Sequence, residues 1–232
     1  MPLIKKVMMR PWGVEKQVRP HTWNPWANTV AWYPLDSTDE LSDMKWSGTA
    51  YDLTASWWTP TYSTHYATLN WSTHLQSNLA SMSWANTISF SWWVNFASFG
   101  SGNMWICVVG TASYHRAIVV GVEPSWKLII SDYWGWPSWT SAYIQTDTWY
   151  NFWLSYASWT WRLYMNWQLD SNYNWSSSAS ADFTKFSISW YPNNSELLPN
   201  WAKVWSFAVQ NNEMSAQDFL DFYNGTKSNY WL

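Results

Sequence analysis

The feature that most constrains the fold is a pair of strands within residues 147–170, each followed by a tight turn. Side chains alternate between the two faces of a strand, so an apolar residue at every second position marks a strand with one buried face. In the two strands this spacing is shown by Tyr150, Phe152, Leu154, Tyr156, Trp161, Leu163 and Met165. The segment therefore predicts two strands that each offer one face to a core.

The turns next to these strands carry tryptophan where glycine is expected. A two-residue hairpin loop favours Asn-Gly, because both central residues need a positive φ that only glycine adopts freely. This chain has Asn166-Trp167 instead, and Trp159 stands in the preceding turn. The same association with turn-type residues is shown by Trp71, Trp175 and Trp190.

The composition agrees with a replacement of glycine by tryptophan. The chain has 26 Trp and 8 Gly, whereas an average usage of about 7% would give roughly 16 Gly. A left-handed conformation costs a non-Gly residue about 1–2 kcal/mol, so about ten such sites would offset the ~5–15 kcal/mol net stability of a domain. We hypothesise that the source genome reads UGA as glycine and that this sequence was translated with UGA as tryptophan. The alternative is a naturally Trp-rich binding protein.

The remaining segments predict an all-β fold: a two-sheet antiparallel jelly-roll sandwich with one short C-terminal helix. Short apolar runs separated by turn residues are typical of a sandwich. Further strands are predicted at residues 28–35, 51–55, 66–69, 87–96, 105–109, 117–122, 127–131, 141–145, 183–189 and 202–210. A helix is predicted at residues 215–224, with Ser215 and Asp218 capping its start and Gly225 ending it.

Two regions are predicted, an N-terminal attachment arm at residues 1–26 and the jelly-roll domain at residues 27–232. The arm has the residues for a short basic hairpin, and the alternative is a loosely ordered terminus. No segment has the ~18 apolar residues of a membrane span, and the N-terminus lacks the apolar core of a signal peptide. A net charge of −3 with 12% charged residues offers no basic surface for nucleic acid. Cys107, in an apolar run, is interpreted as a buried hydrophobe.

An ordered set of motifs runs through residues 28–224. The motifs are NTVAWYPLD (28–36), ATLNWSTHL (67–75), ISFSWWVNF (88–96), TWYNFWLSY (148–156), WRLYMNWQLD (161–170) and AKVWSFAVQNNEMSAQDFLDFYN (202–224). Together they resemble the LamG-like jelly rolls of the concanavalin A-like lectin/glucanase superfamily. The resemblance implies a jelly roll whose last strand leads through a short polar link into a terminal helix.

The resemblance also separates the tryptophans into two groups. Positions that usually carry glycine in the family pattern are held here by Trp71, Trp159, Trp167 and Trp190. Positions that often carry tryptophan in the family are held by Trp93, Trp149 and Trp161. The first group agrees with the tryptophans that the turn chemistry marks as misread.

The sequence lacks the local motifs of the common hydrolases. Hydrolases of the same superfamily place closely spaced acidic residues on one strand, because an acid and a nucleophile must flank one glycosidic bond. No Glu-x-Asp-x-x-Glu or Glu-x-Asp-x-Glu pattern, Gly-x-Ser-x-Gly elbow or His-x-x-x-His pair occurs here. We therefore expect from the sequence that the chain is not an enzyme.

The acidic loop at residues 36–43 is a candidate calcium site. By resemblance to lectin-like jelly rolls that hold Ca²⁺ on such loops, the ligands would be Asp36, Asp39 and Asp43. Ca²⁺ takes roughly six to eight oxygen ligands from carboxylates and carbonyls. The alternative is a solvated turn without metal, and the spacing matches no EF-hand loop.

The most aromatic loop, residues 131–143, is the candidate ligand site, because sugar sites combine exposed aromatic faces with polar groups. A second connection, residues 111–116, would face it. The candidate binding residues are Asp132, Tyr133, Tyr114 and Arg116. The loop is Gly-rich if its tryptophans are misread, namely Trp134, Trp136 and Trp139. Tyr133 and Tyr143 then remain as its aromatic platforms.

These features predict a non-catalytic, lectin-like module for glycan recognition. We expect it on a phage virion or cell-surface assembly, for instance in a tail or fibre, to which the N-terminal arm attaches. Its predicted partners are a cell-surface glycan or polysaccharide and other subunits of the assembly, with neither nucleic acid nor membrane insertion. The alternative is a purely structural subunit with the same fold and no ligand. The step from fold to function is an analogy.

Overall fold

The computed structural model describes residues 29–33, 35, 37, 53–56, 59–64, 66–69, 74–78, 87–110, 117–132, 138–158, 160–166, 168–174, 183, 185–189 and 202–227. The strands in this part of the chain are β1 Thr29–Tyr33, β2 Thr54–Ser56, β3 Thr61–Tyr62, β4 Ala67–Leu69, β5 His74–Asn78, β6 Thr87–Asn95, β7 Met104–Gly110, β8 Ala117–Val122, β9 Lys127–Asp132, β10 Ser138–Tyr143, β11 Trp149–Ala157, β12 Thr160–Met165, β13 Gln168–Asn174, β14 Lys185–Ile188 and β15 Ala202–Gln210. The helix α1 is Ala216–Lys227. The predicted arm at residues 1–26 lies outside the described residues.

The strands form two antiparallel sheets. The larger sheet has eight strands in the order β13-β12-β11-β6-β15-β4-β3, with β1 also paired to β15. The smaller sheet has seven strands in the order β10-β9-β8-β7-β14-β5-β2. The predicted fold class, an all-β sandwich of two antiparallel sheets with a short C-terminal helix, is confirmed.

The strands β11 and β12 are neighbours, as the alternating sequence predicts. Ala157 pairs with Thr160, so the two strands are joined by a two-residue loop. Its first residue, Ser158, has a φ of 50°. The second residue, Trp159, lies outside the described residues. Two-residue hairpins favour turns in which both central residues have positive φ, so the sequence expectation that this turn suits glycine stays a prediction.

The hairpin between β12 and β13 has the same construction. Met165 pairs with Gln168 across a two-residue loop, and Asn166 has a φ of 47°. The Asn166 N–H donates to the Asn151 carbonyl at 2.8 Å, and the Asn151 N–H donates to the Asn166 side-chain oxygen at 2.9 Å. These bonds hold Asn166 in its left-handed conformation, which Asn tolerates better than most residues. Trp167 lies outside the described residues.

The main core fills the space between the two sheets and is rich in aromatic rings. Phe186 on β14 and Phe207 on β15 stack at a centroid distance of 4.6 Å and an angle of 5°, which joins the sheets. The ring of Trp92 stacks on Phe152 at 5.9 Å and on Phe207 at 5.8 Å. Residues predicted to face the core, and found in it or packed against it, are Tyr150, Phe152, Leu154, Tyr156, Trp161, Leu163 and Met165.

A second apolar cluster covers the outer face of the larger sheet. Its buried members are Trp93, Trp153, Tyr164, Trp205, Met214 and Phe219. The helix α1 supplies Phe219, whose ring centroid lies 3.8 Å from that of Trp153 and 4.4 Å from that of Tyr164. The helix therefore packs on a sheet face that would otherwise expose aromatic side chains.

The start of α1 has the predicted capping box. The Ser215 N–H and hydroxyl donate to the Asp218 carboxylate at 2.8 and 2.7 Å, and the Asp218 N–H donates to the Ser215 hydroxyl at 3.2 Å. The prediction that Gly225 ends the helix is wrong, because the helix continues to Lys227. Glycine inside a helix costs only about 1 kcal/mol relative to alanine.

Three strands within the described residues, β3, β5 and β13, were not predicted from the sequence. Strand β5 has no alternating apolar pattern, since its buried positions include His74 and Ser77. Ser77 accepts a hydrogen bond from the Tyr33 hydroxyl at 3.1 Å. The strand is specified by its two neighbours, β14 and β2, rather than by its own hydrophobic pattern.

Candidate functional site

Two loops that carry the predicted ligand residues leave the smaller sheet at the same end. Gly110 at the end of β7 pairs with Ala117 at the start of β8, and Ile118 pairs with Asp132 at the end of β9. Residues 111–116 and 133–137 therefore connect neighbouring strands that are about 4.8 Å apart. That the two connections face one another stays a prediction, because both lie outside the described residues.

The side chains of the predicted ligand residues are not placed. The backbone of Asp132 is described and forms the end of β9. Tyr114, Arg116 and Tyr133 lie outside the described residues. The structure thus places only the strand ends that flank the two connections, and the arrangement of the four side chains stays a prediction.

The predicted loop at residues 131–143 is too long. Residues 138–143 form the strand β10, because Ser138 pairs with Ile130 and Tyr143 pairs with Lys127. The connection itself is only residues 133–137, and β10 spans ~17 Å along its length. Tyr143 therefore lies beside Lys127, at the opposite end of β9 from Asp132.

The far end of the sandwich carries exposed aromatic side chains that the sequence did not single out as a group. Tyr143 is 62% exposed and Trp126 is 51% exposed. The indole of Trp126 stacks on Phe99 at 5.3 Å and 24°. The Lys127 ammonium lies 6.0 Å from the centre of the Tyr143 ring. An exposed Trp and an exposed Tyr beside a Lys ammonium are typical of a surface that binds a sugar ring.

Two buried titratable side chains, Cys107 on β7 and His74 on β5, are poor candidates for a catalytic role. Burial raises the pKa of the Cys107 thiol, because an apolar interior disfavours the thiolate. The prediction that Cys107 is a buried hydrophobe is confirmed, since it is 1% exposed within the main core. Burial lowers the pKa of His74 for the same reason, since the charged imidazolium is desolvated.

No metal centre is seen in the part of the chain that the structure describes, where no three His, Cys, Asp or Glu residues are grouped. The predicted calcium ligands Asp36, Asp39 and Asp43 lie outside that part. The calcium site therefore stays a prediction.

The fold is similar to solved structures of enzymes and of a toxin domain. A mutant Trypanosoma rangeli sialidase displaying trans-sialidase activity matches with a TM-score of 0.71 at 10% identity, over 86% of this chain and 33% of that chain. The same sialidase in complex with sialic acid gives 0.70 at 10% identity, over 85% and 33%. The receptor binding domain of botulinum neurotoxin type G gives 0.64 at 11% identity, over 85% and 51%. These likenesses show the fold alone.

This chain spans only about a third to a half of the structures it matches. No protein-family model and no curated protein sequence matches it. Of the LamG-like resemblance, the β-sandwich fold is supported. Within the described residues, the structure contains no helix that is long and apolar enough to cross a membrane.

The expectation that the chain is not an enzyme is wrong as an inference from the sequence. Structures with the same fold are sialidases, which are enzymes. The physical reason is that catalytic groups can come from the ends of several strands, where the fold brings them together without any short motif in the sequence. The missing motifs therefore do not exclude catalysis.

Proposed function

We propose that the chain is a glycan-recognition module that binds a cell-surface glycan or polysaccharide at residues 111–116 and 133–137. The proposal depends mainly on the register of β7, β8 and β9, because it puts the strand ends that flank the two connections at one end of the smaller sheet. Binding residues are commonly found on loops that a rigid scaffold positions. The likeness to a sialidase bound to sialic acid and to a toxin receptor-binding domain supports this proposal.

The four candidate side chains divide into two chemical roles. Tyr133 and Tyr114 offer flat apolar faces with a hydroxyl, which suits a sugar ring that is apolar on one side and polar at its edge. Asp132 accepts hydrogen bonds from sugar hydroxyls, and Arg116 donates in a fork that matches a carboxylate. An acidic sugar would therefore bind better than a neutral one.

The module would act as part of a larger assembly. We propose a phage virion or a cell-surface structure, with residues 1–26 as the attachment arm and other subunits of the assembly as partners. A bound Ca²⁺ held by Asp36, Asp39 and Asp43 would stabilise the loop at residues 36–43.

The identity of the turn tryptophans bears on this site. We propose that UGA is read as glycine in the source organism, so that Trp71, Trp159, Trp167 and Trp190 are glycine in the native protein. The two-residue loops that begin with Ser158 and Asn166 at positive φ support the proposal. The loop at residues 133–137 would then be Gly-rich, with Tyr133 as its aromatic residue.

A glycan array tests the proposed function. We expect the parent chain to bind at least one glycan class, and Tyr133→Ala or Arg116→Ala to weaken binding by about 2 kcal/mol, roughly 30-fold, as for a central contact residue. Tyr143→Ala is the matched control, since it removes an exposed tyrosine at the opposite end and should leave binding unchanged. Absence of binding to every glycan, with the protein buried inside the particle, would favour a structural subunit instead.

A further inference from the structure

The turn between β8 and β9 is a hairpin whose geometry is fully described. The Trp126 N–H donates to the Glu123 carbonyl at 2.8 Å, and the Glu123 N–H donates to the Lys127 carbonyl at 3.0 Å. Residues 123–126 thus form a β-turn with Pro124 and Ser125 at its centre, and Trp126 is the fourth residue. Three-residue hairpin loops are built in this way, as a type I turn followed by a left-handed residue that forms a bulge.

The left-handed position of this loop is held by tryptophan. Trp126 has a φ of 70°, at the place where such a bulge takes glycine. Leu35 is the other large apolar residue with positive φ among those described, at 57°, but it is completely buried in the main core. Packing on all sides can hold Leu35 in a strained conformation, whereas Trp126 is half exposed and packs its ring on Phe99 at the surface.

Trp126 differs from the other described tryptophans in its backbone conformation and in its exposure. It alone among them has a positive φ. It is also 51% exposed, more than any other tryptophan whose side chain the structure describes. Tryptophans with at most 6% exposure are Trp92, Trp93, Trp105, Trp153, Trp161 and Trp205. Pro124 and Ser125 suit the two central positions of the turn. Trp126 is therefore the residue of this loop that does not suit its backbone conformation.

We propose that residue 126 is glycine in the protein that the source organism makes, and that the exposed indole at this end of the sandwich is not a ligand platform. The proposal rests on the recoding of UGA proposed above and adds a position that neither the turn motifs of the sequence nor the family resemblance marked. With glycine at residue 126, the stacked face of Phe99 is uncovered, and Tyr143 is the exposed aromatic residue that remains nearby. The ligand-binding aromatic residues are then to be sought at residues 111–116 and 133–137.

A pair of variants isolates the backbone effect. Trp126→Gly and Trp126→Ala both remove the indole and its contact with Phe99, but only alanine keeps a Cβ at a φ of 70°. We expect Trp126→Gly to unfold at a higher urea concentration than Trp126→Ala, the reverse of their order in a regular helix or strand. An equal or lower midpoint for Trp126→Gly would overturn the assignment. Trp161→Gly, at a fully buried position, is the control that should lower the midpoint well below both.

Peptide mass spectrometry of the protein from its native source decides the identity directly. We expect glycine at residues 126, 159 and 167 and tryptophan at residue 161. Tryptophan at residue 126 with glycine at residues 159 and 167 would overturn this assignment and leave the recoding in place. Tryptophan at all of these positions would overturn both. A tenfold or larger loss of glycan affinity in Trp126→Gly would contradict the statement that the indole is no platform, whichever residue the native protein carries.

Discussion

The attachment of the C-terminal helix should depend on Phe219. This side chain is completely buried, and its ring contacts Trp153 and Tyr164 on the outer face of the larger sheet. Phe219→Ala removes both ring contacts, and a buried Phe→Ala change costs about 3–5 kcal/mol. The helix has 12 residues, and an isolated helix of this length is only marginally stable in water. An undocked α1 should therefore also lose its helical hydrogen bonds.

Hydrogen exchange of the backbone amides measures this effect where it occurs. Since about 1.4 kcal/mol corresponds to a tenfold change in an equilibrium, we expect exchange in residues 216–227 to become roughly 100-fold faster or more in Phe219→Ala. The buried amides of β6 and β11 should change less, because the sandwich core does not include Phe219.

Gln217→Ala is the matched control on the same turn of the helix. Gln217 is exposed and donates only a surface hydrogen bond to Asp221 at 2.8 Å, so its loss should change stability by less than ~0.5 kcal/mol. Equal exchange in the two variants would refute the idea that Phe219 anchors the helix.

Two further predictions concern the sheets. Gly121→Ala should lower the free energy of unfolding by about 1–3 kcal/mol in urea titrations. The reason is that the new Cβ would lie 2.6 Å from the Trp105 ring and 2.7 Å from the Met104 carbonyl oxygen. Gly102→Ala is the control and should leave the free energy of unfolding unchanged, because its Cβ would have nothing within 4 Å. Stability should also fall as pH drops below the ordinary His pKa of 6.5, since burial lowers the pKa of His74 and the unfolded chain then binds the proton more tightly. The urea midpoint of His74→Gln should depend less on pH between 7 and 5, and an identical dependence would count against this reasoning.

The strands with alternating side chains could be predicted from the sequence because burial on one face imposes the period of two. Phe152 and Leu154 illustrate this, and both lie in the main core. The capping box at Ser215 was also predictable, because it needs only residues three positions apart. Strand β5 was not, since its neighbours rather than its side chains place it in the sheet.

The candidate site was predictable in outline only. The turn spacing between β7 and β10 predicted that the two connections leave neighbouring strands, because consecutive antiparallel strands are neighbours. The extent of β10 was missed, and Tyr143 was therefore assigned to the wrong end. Trp126 was missed because its strain depends on the φ angle of a three-residue loop, which a dipeptide motif does not reveal. Catalytic groups from separate strands leave no local motif, so the absence of short motifs does not exclude an enzyme.

The location of bound glycan is the most direct test of the account. Backbone hydrogen exchange is measured with and without the glycan that binds best on the array. We expect slower exchange at residues 110–117 and 132–138 on binding, and no change at residues 123–127 and 143–147. Protection at residues 123–127 and 143–147, with none at the two loops, would contradict the proposal that the ligand binds at the end of the sheet where β7 and β9 terminate.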